Sequence, residues 1–143
     1  MRKLRLKGIV GVITGKIGKT HFFRTQEWPL MNVDELKILI NEGWEIASHS
    51  VTHPTSLDKL PPNKFEFELT ESKKWLEKTL GVDVIKFVVP HERCLTSNQL
   101  ETALQHYKFV RHCKQYYNCN GHRVFHVVAE NEVARFCSQG VKI

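Results

Sequence analysis

The order of elements in this chain predicts an α/β protein with a mostly parallel sheet. Two observations carry that expectation. Residues 8–14 and 83–89 are short, apolar and rich in Val and Ile, as strands are when both of their faces are covered. Segments of helical period, each with its own start and stop signals, alternate with these runs. A chain of 143 residues is expected to form a single domain over 1–143, large enough for a real core.

The elements can be justified in order. Residues 8–14 form the first strand. Gly15-Lys16-Ile17-Gly18-Lys19-Thr20 follows and imitates a phosphate-binding loop. That loop needs four residues between its first Gly and its Gly-Lys-Thr. Gly15 leaves two and Gly11 leaves six, and no helical period follows Thr20, so the loop is rejected. Residues 21–31 read as a loop. Trp28 and Pro29 are expected to pack its end against the next helix, and stacking of Trp28 on a sugar is the functional alternative.

Asn32 caps a helix, with Glu35 completing a capping box and Val33, Leu36, Leu39 and Ile40 forming the buried face. Gly43 ends it in a left-handed conformation. A second strand covers 44–48. Residues 54–62 are a loop. Asn63 is expected to cap a long helix to Leu80, with Phe65, Leu69, Ser72, Leu76 and Leu80 on one face and Phe67 and Trp75 in a second apolar row. The third strand, 83–90, exits at Pro90. Thr96 and Gln99 form a second capping box for a helix through Lys108, with Leu100, Leu104 and Tyr107 inward. A short strand at Phe109-Val110, an irregular polar stretch 111–122, a strand 123–128, a helix 130–139 and a strand 140–143 complete the chain.

Composition excludes several function classes. The net charge is +6, from 21 basic and 15 acidic residues. Arg2, Lys3, Arg5 and Lys7 cluster at one end, but no basic stripe carries interleaved aromatics, and no nucleic acid partner is expected. No apolar run reaches the roughly 20 residues of a membrane span. The basic start followed by residues 8–14 imitates a signal peptide, yet Lys16 and Lys19 stand where small residues should precede cleavage. A strand is the better reading, and a cytoplasmic location is expected. The cysteines at 94, 113, 119 and 137 contain no C-x-x-C, and reduced thiols are expected.

The stretch richest in chemistry is Gly43-Trp44-Glu45-Ile46-Ala47-Ser48-His49-Ser50-Val51-Thr52-His53-Pro54. A strand ends here and delivers two imidazoles to the sheet rim, where α/β proteins keep their sites. Such a pair suits a borderline metal such as zinc, although a bare His-x-x-x-His is more often two ordinary surface histidines. The flanking residues change the balance. Residues 43–53 resemble the second motif of the polysaccharide deacetylase (NodB-like) family, in which two histidines bind a metal. The resemblance implies a divalent metal, with zinc the expected ion, on His49 and His53.

Further stretches are similar to the same family. Thr14-Gly15-Lys16-Ile17-Gly18 resembles its first turn. Pro90 matches the strand-end motif, although Phe87 replaces the usual Arg, and His91 beside it lines the sugar groove or is an exposed loop histidine. Pro90, His91 and Trp28 are the candidate groove residues. His126 matches the histidine that serves as general acid toward the leaving amine. Val127 stands in place of the usual Asp, and a histidine in an apolar strand is otherwise a core residue. The closing Gly140-Val141-Lys142-Ile143 matches the family's last strand.

The resemblance implies an incomplete form of the family's distorted (β/α) barrel, from its second strand onward. The family's Asp-Asp pair, one residue a base and one a metal ligand, lies on a strand before residues 8–14. Residues 1–7 hold no carboxylate. A third ligand would then come from His21, Asp58, His91 or Glu92, or from a second subunit of a homo-oligomer that completes the site.

The implied function is metal-dependent deacetylation of an acetylated carbohydrate. The alternative is a non-catalytic glycan-binding or regulatory protein on the same scaffold. A weaker alternative is a zinc module of Cys113, Cys119, His122 and His126 that binds nucleic acid, with a spacing that fits no standard finger.

Overall fold

The computed structural model describes residues 7–23, 25–113, 115–118 and 123–124. In chain order the elements are β1 (Ile9–Val12), β2 (Thr20–Phe23), β3 (Gln26–Pro29), α1 (Val33–Asn41), β4 (Glu45–Ser48), α2 (Pro62–Leu80), β5 (Lys86–Val88), α3 (Ser97–His106), β6 (Phe109–His112), β7 (Gln115–Asn118) and β8 (Arg123–Val124). Among the described residues, six strands form one sheet in the order β1-β4-β5-β6-β7-β8. The β1-β4, β4-β5 and β5-β6 pairs are parallel, and β7 and β8 add antiparallel at one side. This is the mixed α/β fold with a mostly parallel sheet that the element order predicts.

The helices begin and end for local reasons. In α1 the Asn32 side chain accepts the Glu35 N–H, and the Glu35 carboxylate accepts the Asn32 N–H. Gly43 then turns the chain at φ 86°, a conformation that costs glycine least. Thr96 and Gln99 make the second capping box at α3. The start of α2 departs from expectation. Pro61 is the N-cap and Pro62 the first helical residue, whose missing N–H would have had no helical partner anyway. Asn63 instead accepts the N–H of Lys64.

The core lies between the sheet and the helices. α2 packs against α1, α3 and β4, and its Phe65, Leu69, Leu76 and Leu80 are buried as the period requires. Phe87, Val110 and Tyr107 meet them from the sheet side. A polar thread runs through this core. Ser48 and Ser72 hydroxyls lie 2.6 Å apart, and the Tyr107 hydroxyl donates to the Leu69 carbonyl at 2.7 Å. Burial pushes the Tyr107 hydroxyl up to about 12.

Several expectations are corrected. Residues 20–29 form a hairpin, not a loop. The sequence between its strands lacks the Asn-Gly or Gly signal that usually marks a hairpin. Trp28 is 54% exposed on that hairpin instead of packed against α1. Phe67 is 48% exposed, because the buried stripe of α2 is narrower than two apolar rows. Residues 115–118 are a strand, since Tyr116 and Tyr117 pair across from Arg111 and Val110. Cys94 and Cys113 are joined by a disulfide, with Cα atoms 4.8 Å apart. Cys113 is therefore not a free thiolate, and the four-residue zinc module fails on that ligand. Cys119, His122, His126 and the elements expected at 130–143 lie outside the described residues.

Among the described residues, no helix is long and apolar enough to cross a membrane. The contrast between the two faces of α2 gives a direct test. Leu69→Ala is expected to cost about 2–5 kcal/mol of stability, and Phe67→Ala to stay within about 0.5 kcal/mol. Urea unfolding of both variants checks this, and a large loss at Phe67 would contradict the orientation of α2.

Candidate active site at the carboxyl rim of the sheet

The site is built where β4 ends. His49 donates its backbone N–H to the Val12 carbonyl at 2.9 Å, the last bond of the β1-β4 ladder. The chain then turns sharply. Ser50 and His53 adopt φ 68° and 59°, in the left-handed region that non-glycine residues seldom occupy. The Ser50 hydroxyl oxygen accepts the His53 N–H at 3.0 Å. From one side, Thr14 and Gly15 donate backbone N–H groups to the Ser50 and Val51 carbonyls at 3.2 and 2.9 Å. A β-carbon at Gly15 would lie 2.7 Å from the Val51 oxygen, so any side chain there would push the two backbones apart. From the other side, Glu68 of α2 accepts the N–H groups of Val51 and Thr52 at 2.8 and 2.9 Å and the Thr52 hydroxyl at 2.6 Å.

This turn brings the two predicted imidazoles together. His49 Nδ1–H donates to the Val88 carbonyl at 2.7 Å. That bond fixes the tautomer and leaves the lone pair on Nε2. His53 Nε2 lies 3.1 Å from His49 Nε2. Two imidazole nitrogens sharing one tetrahedral zinc stand about 3.3 Å apart at ordinary Zn–N lengths. The donor pair thus fits two positions of such an ion. No group of three or more metal donors converges among the described residues.

Two more histidines crowd His53. Ring centroids of His91 and His21 lie 4.5 and 5.1 Å from it, and that of His49 lies 4.7 Å away. His91 sits in a tight turn at β5's exit, at φ 56°, beside buried Pro90. Glu92 pairs with Arg111 of β6, and Arg93 donates to the Thr55 carbonyl at 3.0 Å, so this turn is tied to its neighbours. His21 comes from the hairpin, and its Nδ1 accepts a hydrogen bond from Lys16 Nζ at 2.9 Å. Trp28 faces His21 across the hairpin, which puts both side chains on one face.

Burial and neighbouring positive charge disfavour protonation of His49, His53 and His21. Burial lowers His49, and the Val88 hydrogen bond only partly opposes it. Burial, followed by the neighbouring His49, His91, His21 and Lys16, pulls His53 down to about 3. His21 is lowered by burial and by Lys16.

Of the residues picked from sequence, His49 and His53 are paired, and His91 stands against the pair. Trp28 lies across the hairpin from His21, which itself contacts His53. His126 lies outside the described residues. Lys16, Ser50, Arg111 and Glu68 went unrecognised. Only Glu68 left a signal, since positions 65, 68, 69, 72 and 76 make one continuous helical stripe that includes a carboxylate.

Fold and site together define an α/β protein with a close histidine pair at the carboxyl rim of a mostly parallel sheet. Residues 6–110 match the family model described as polysaccharide deacetylase, and the chain belongs to that family. Among solved structures, it is similar to the Streptococcus pyogenes deacetylase PplD in complex with acetate, at 25% identity and a TM-score of 0.64, over 74% of this chain and 44% of that one. IcaB from Ammonifex degensii shares the fold at 16% identity and a TM-score of 0.67, over 96% of this chain and 63% of that one. The uncharacterized protein YlxY of Bacillus subtilis (strain 168) is 32% identical over 72 residues, 50% of this chain and 22% of the relative. The chain therefore spans under half the length of PplD and about a fifth of YlxY.

The lowered imidazoles set a pH dependence. Unfolded histidines take up protons near pH 6.5, whereas His53 in the folded protein does so only near 3. Between these values the unfolded state binds more protons, so stability falls as pH drops below 6.5. Above 6.5 the contribution vanishes. His53→Asn, which tolerates the left-handed backbone, is expected to flatten the fall in Tm between pH 7.5 and 4.5. Parallel curves for both proteins would contradict the assignment.

Proposed function

We propose that the protein is a metal-dependent deacetylase that hydrolyses the acetamido C–N bond of an acetylated carbohydrate. The observation that carries this reading is the His49–His53 pair, with its two Nε2 atoms 3.1 Å apart and His49 oriented by the Val88 carbonyl. Membership of the polysaccharide deacetylase family supports the reaction class. Its similarity to PplD, described as a deacetylase in complex with acetate, points the same way.

His49 and His53 would hold a divalent metal, zinc being the expected ion, which supplies a Lewis acid that acidifies water and polarises the acetyl carbonyl. The remaining work falls to the chain. Burial keeps both imidazoles unprotonated at neutral pH, and so available as ligands. His91, with its ring 4.5 Å from that of His53, forms the β5 side of the groove, whereas Pro90, the other candidate there, is buried beneath the surface and cannot line it. Trp28, exposed on the His21 face of the hairpin, offers an indole ring to the C–H face of a neighbouring sugar. One water is consumed, the C–N bond breaks, acetate forms, and the amine leaves with a proton from His126. The third metal ligand and the base are assigned to groups beyond the described residues, in this polypeptide or in a second copy.

The test is acetate release from acetylated chito-oligosaccharides by the full chain. Activity should disappear with a chelator and return with zinc. His49→Ala and His53→Ala should abolish it, and His126→Ala should lower kcat about 10²–10⁴-fold. Glycan binding without acetate release, with zinc present, would favour the non-catalytic reading instead.

A further inference from the structure

Glu68 is only 5% exposed, yet among the described residues the groups that reach its carboxylate are two backbone N–H groups and one hydroxyl, all from Val51 and Thr52. A buried carboxylate is costly unless it is fully hydrogen-bonded. α2 could carry an apolar residue at this position, as it does at Leu69 and Leu76 in the same stripe. The placement of these bonds suggests what the carboxylate does. Val51 and Thr52 lie inside the turn between His49 and His53. Ser50 and His53 on either side of them hold left-handed backbone. Glu68 thus grips the middle of a strained turn whose two ends present the paired Nε2 atoms.

We infer that Glu68 is a positioning residue that sets the His49–His53 nitrogen separation through the Val51 and Thr52 amides. It touches neither imidazole and takes no part in bond making. Its consequence for metal binding rests on the function proposed above, but its effect on the imidazoles does not. The turn is anchored on its other side by Thr14 and Gly15, which bond to the Ser50 and Val51 carbonyls. Loss of Glu68 therefore leaves the turn attached to β1 but free to relax toward ordinary backbone angles. Groups that orient metal ligands in this way typically change affinity 10–100-fold.

The experiment compares the full chain with Glu68→Ala, Glu68→Gln and, as a destabilised control remote from the turn, Leu76→Ala. Zinc affinity is measured by titration calorimetry. The tautomer of His49 in the metal-free protein is read from long-range ¹H–¹⁵N correlations. Glu68→Ala should bind zinc about 10–100-fold more weakly and should lose the single Nδ1–H tautomer of His49. Glu68→Gln keeps one carbonyl acceptor and should fall between it and wild type. Leu76→Ala should lower Tm yet keep both site properties. The inference is overturned if the Glu68 variants lose stability alone and match wild type in affinity and tautomer. If Glu68→Ala does not fold, Glu68→Gln decides by the same two readings. If wild type binds no zinc, the metal reading fails separately, and the tautomer comparison still decides the role of Glu68.

Discussion

The turn that carries the chain out of β4 is the constraint on which the rest of the site depends. Five residues, from His49 to His53, leave a parallel ladder with two of them in left-handed backbone. Such residues cost about 1–3 kcal/mol each. Hydrogen bonds to a charged group contribute about 1.5–3 kcal/mol each, and three of them converge on Glu68. The two terms are of the same order. The turn is therefore held open by α2 and β1 together, and the histidine pair inherits its spacing from that balance.

This explains how a generic scaffold acquires a particular site. Parallel strands end at a common rim, and their loops converge there. β1 contributes the Thr14–Lys16 turn that receives the Ser50 and Val51 carbonyls. β4 contributes the imidazoles, and β5 contributes both the Val88 carbonyl that orients His49 and the turn that carries His91. β6 steadies that turn through Arg111 and Glu92, and the Cys94–Cys113 disulfide ties its downstream end to the residue after β6. The hairpin adds His21 and Trp28 at the mouth. Each group is local in origin, but the cluster exists only because four parallel strands bring their ends together.

Much of this was legible in the chain. Periodicity and capping residues located α1, α2 and α3, because those signals act within one or two helical turns. The residues around His49 and His53 singled that stretch out, and the structure brings the two rings together. The elements that escaped depend on distant partners. The hairpin at 20–29 lacks a turn signature and is formed by cross-strand pairing. β7 reads as polar and irregular because its side chains give no alternation, and its order comes from β6. Glu68 shows in the sequence only as a carboxylate within the apolar stripe of α2, because its acceptor role is defined by amides 16 and 17 residues away. The Cys94–Cys113 pairing likewise joins residues 19 apart and has no spacing signature in the sequence.

The central claim is that His49 and His53 together hold a divalent metal. Its most direct test is the metal content of the purified full chain, after zinc loading and dialysis, beside a His49→Ala/His53→Ala double variant. The account predicts about one metal ion per wild-type chain and its loss from the double variant. A wild-type protein that emerges metal-free, or a double variant that retains as much metal, would contradict it.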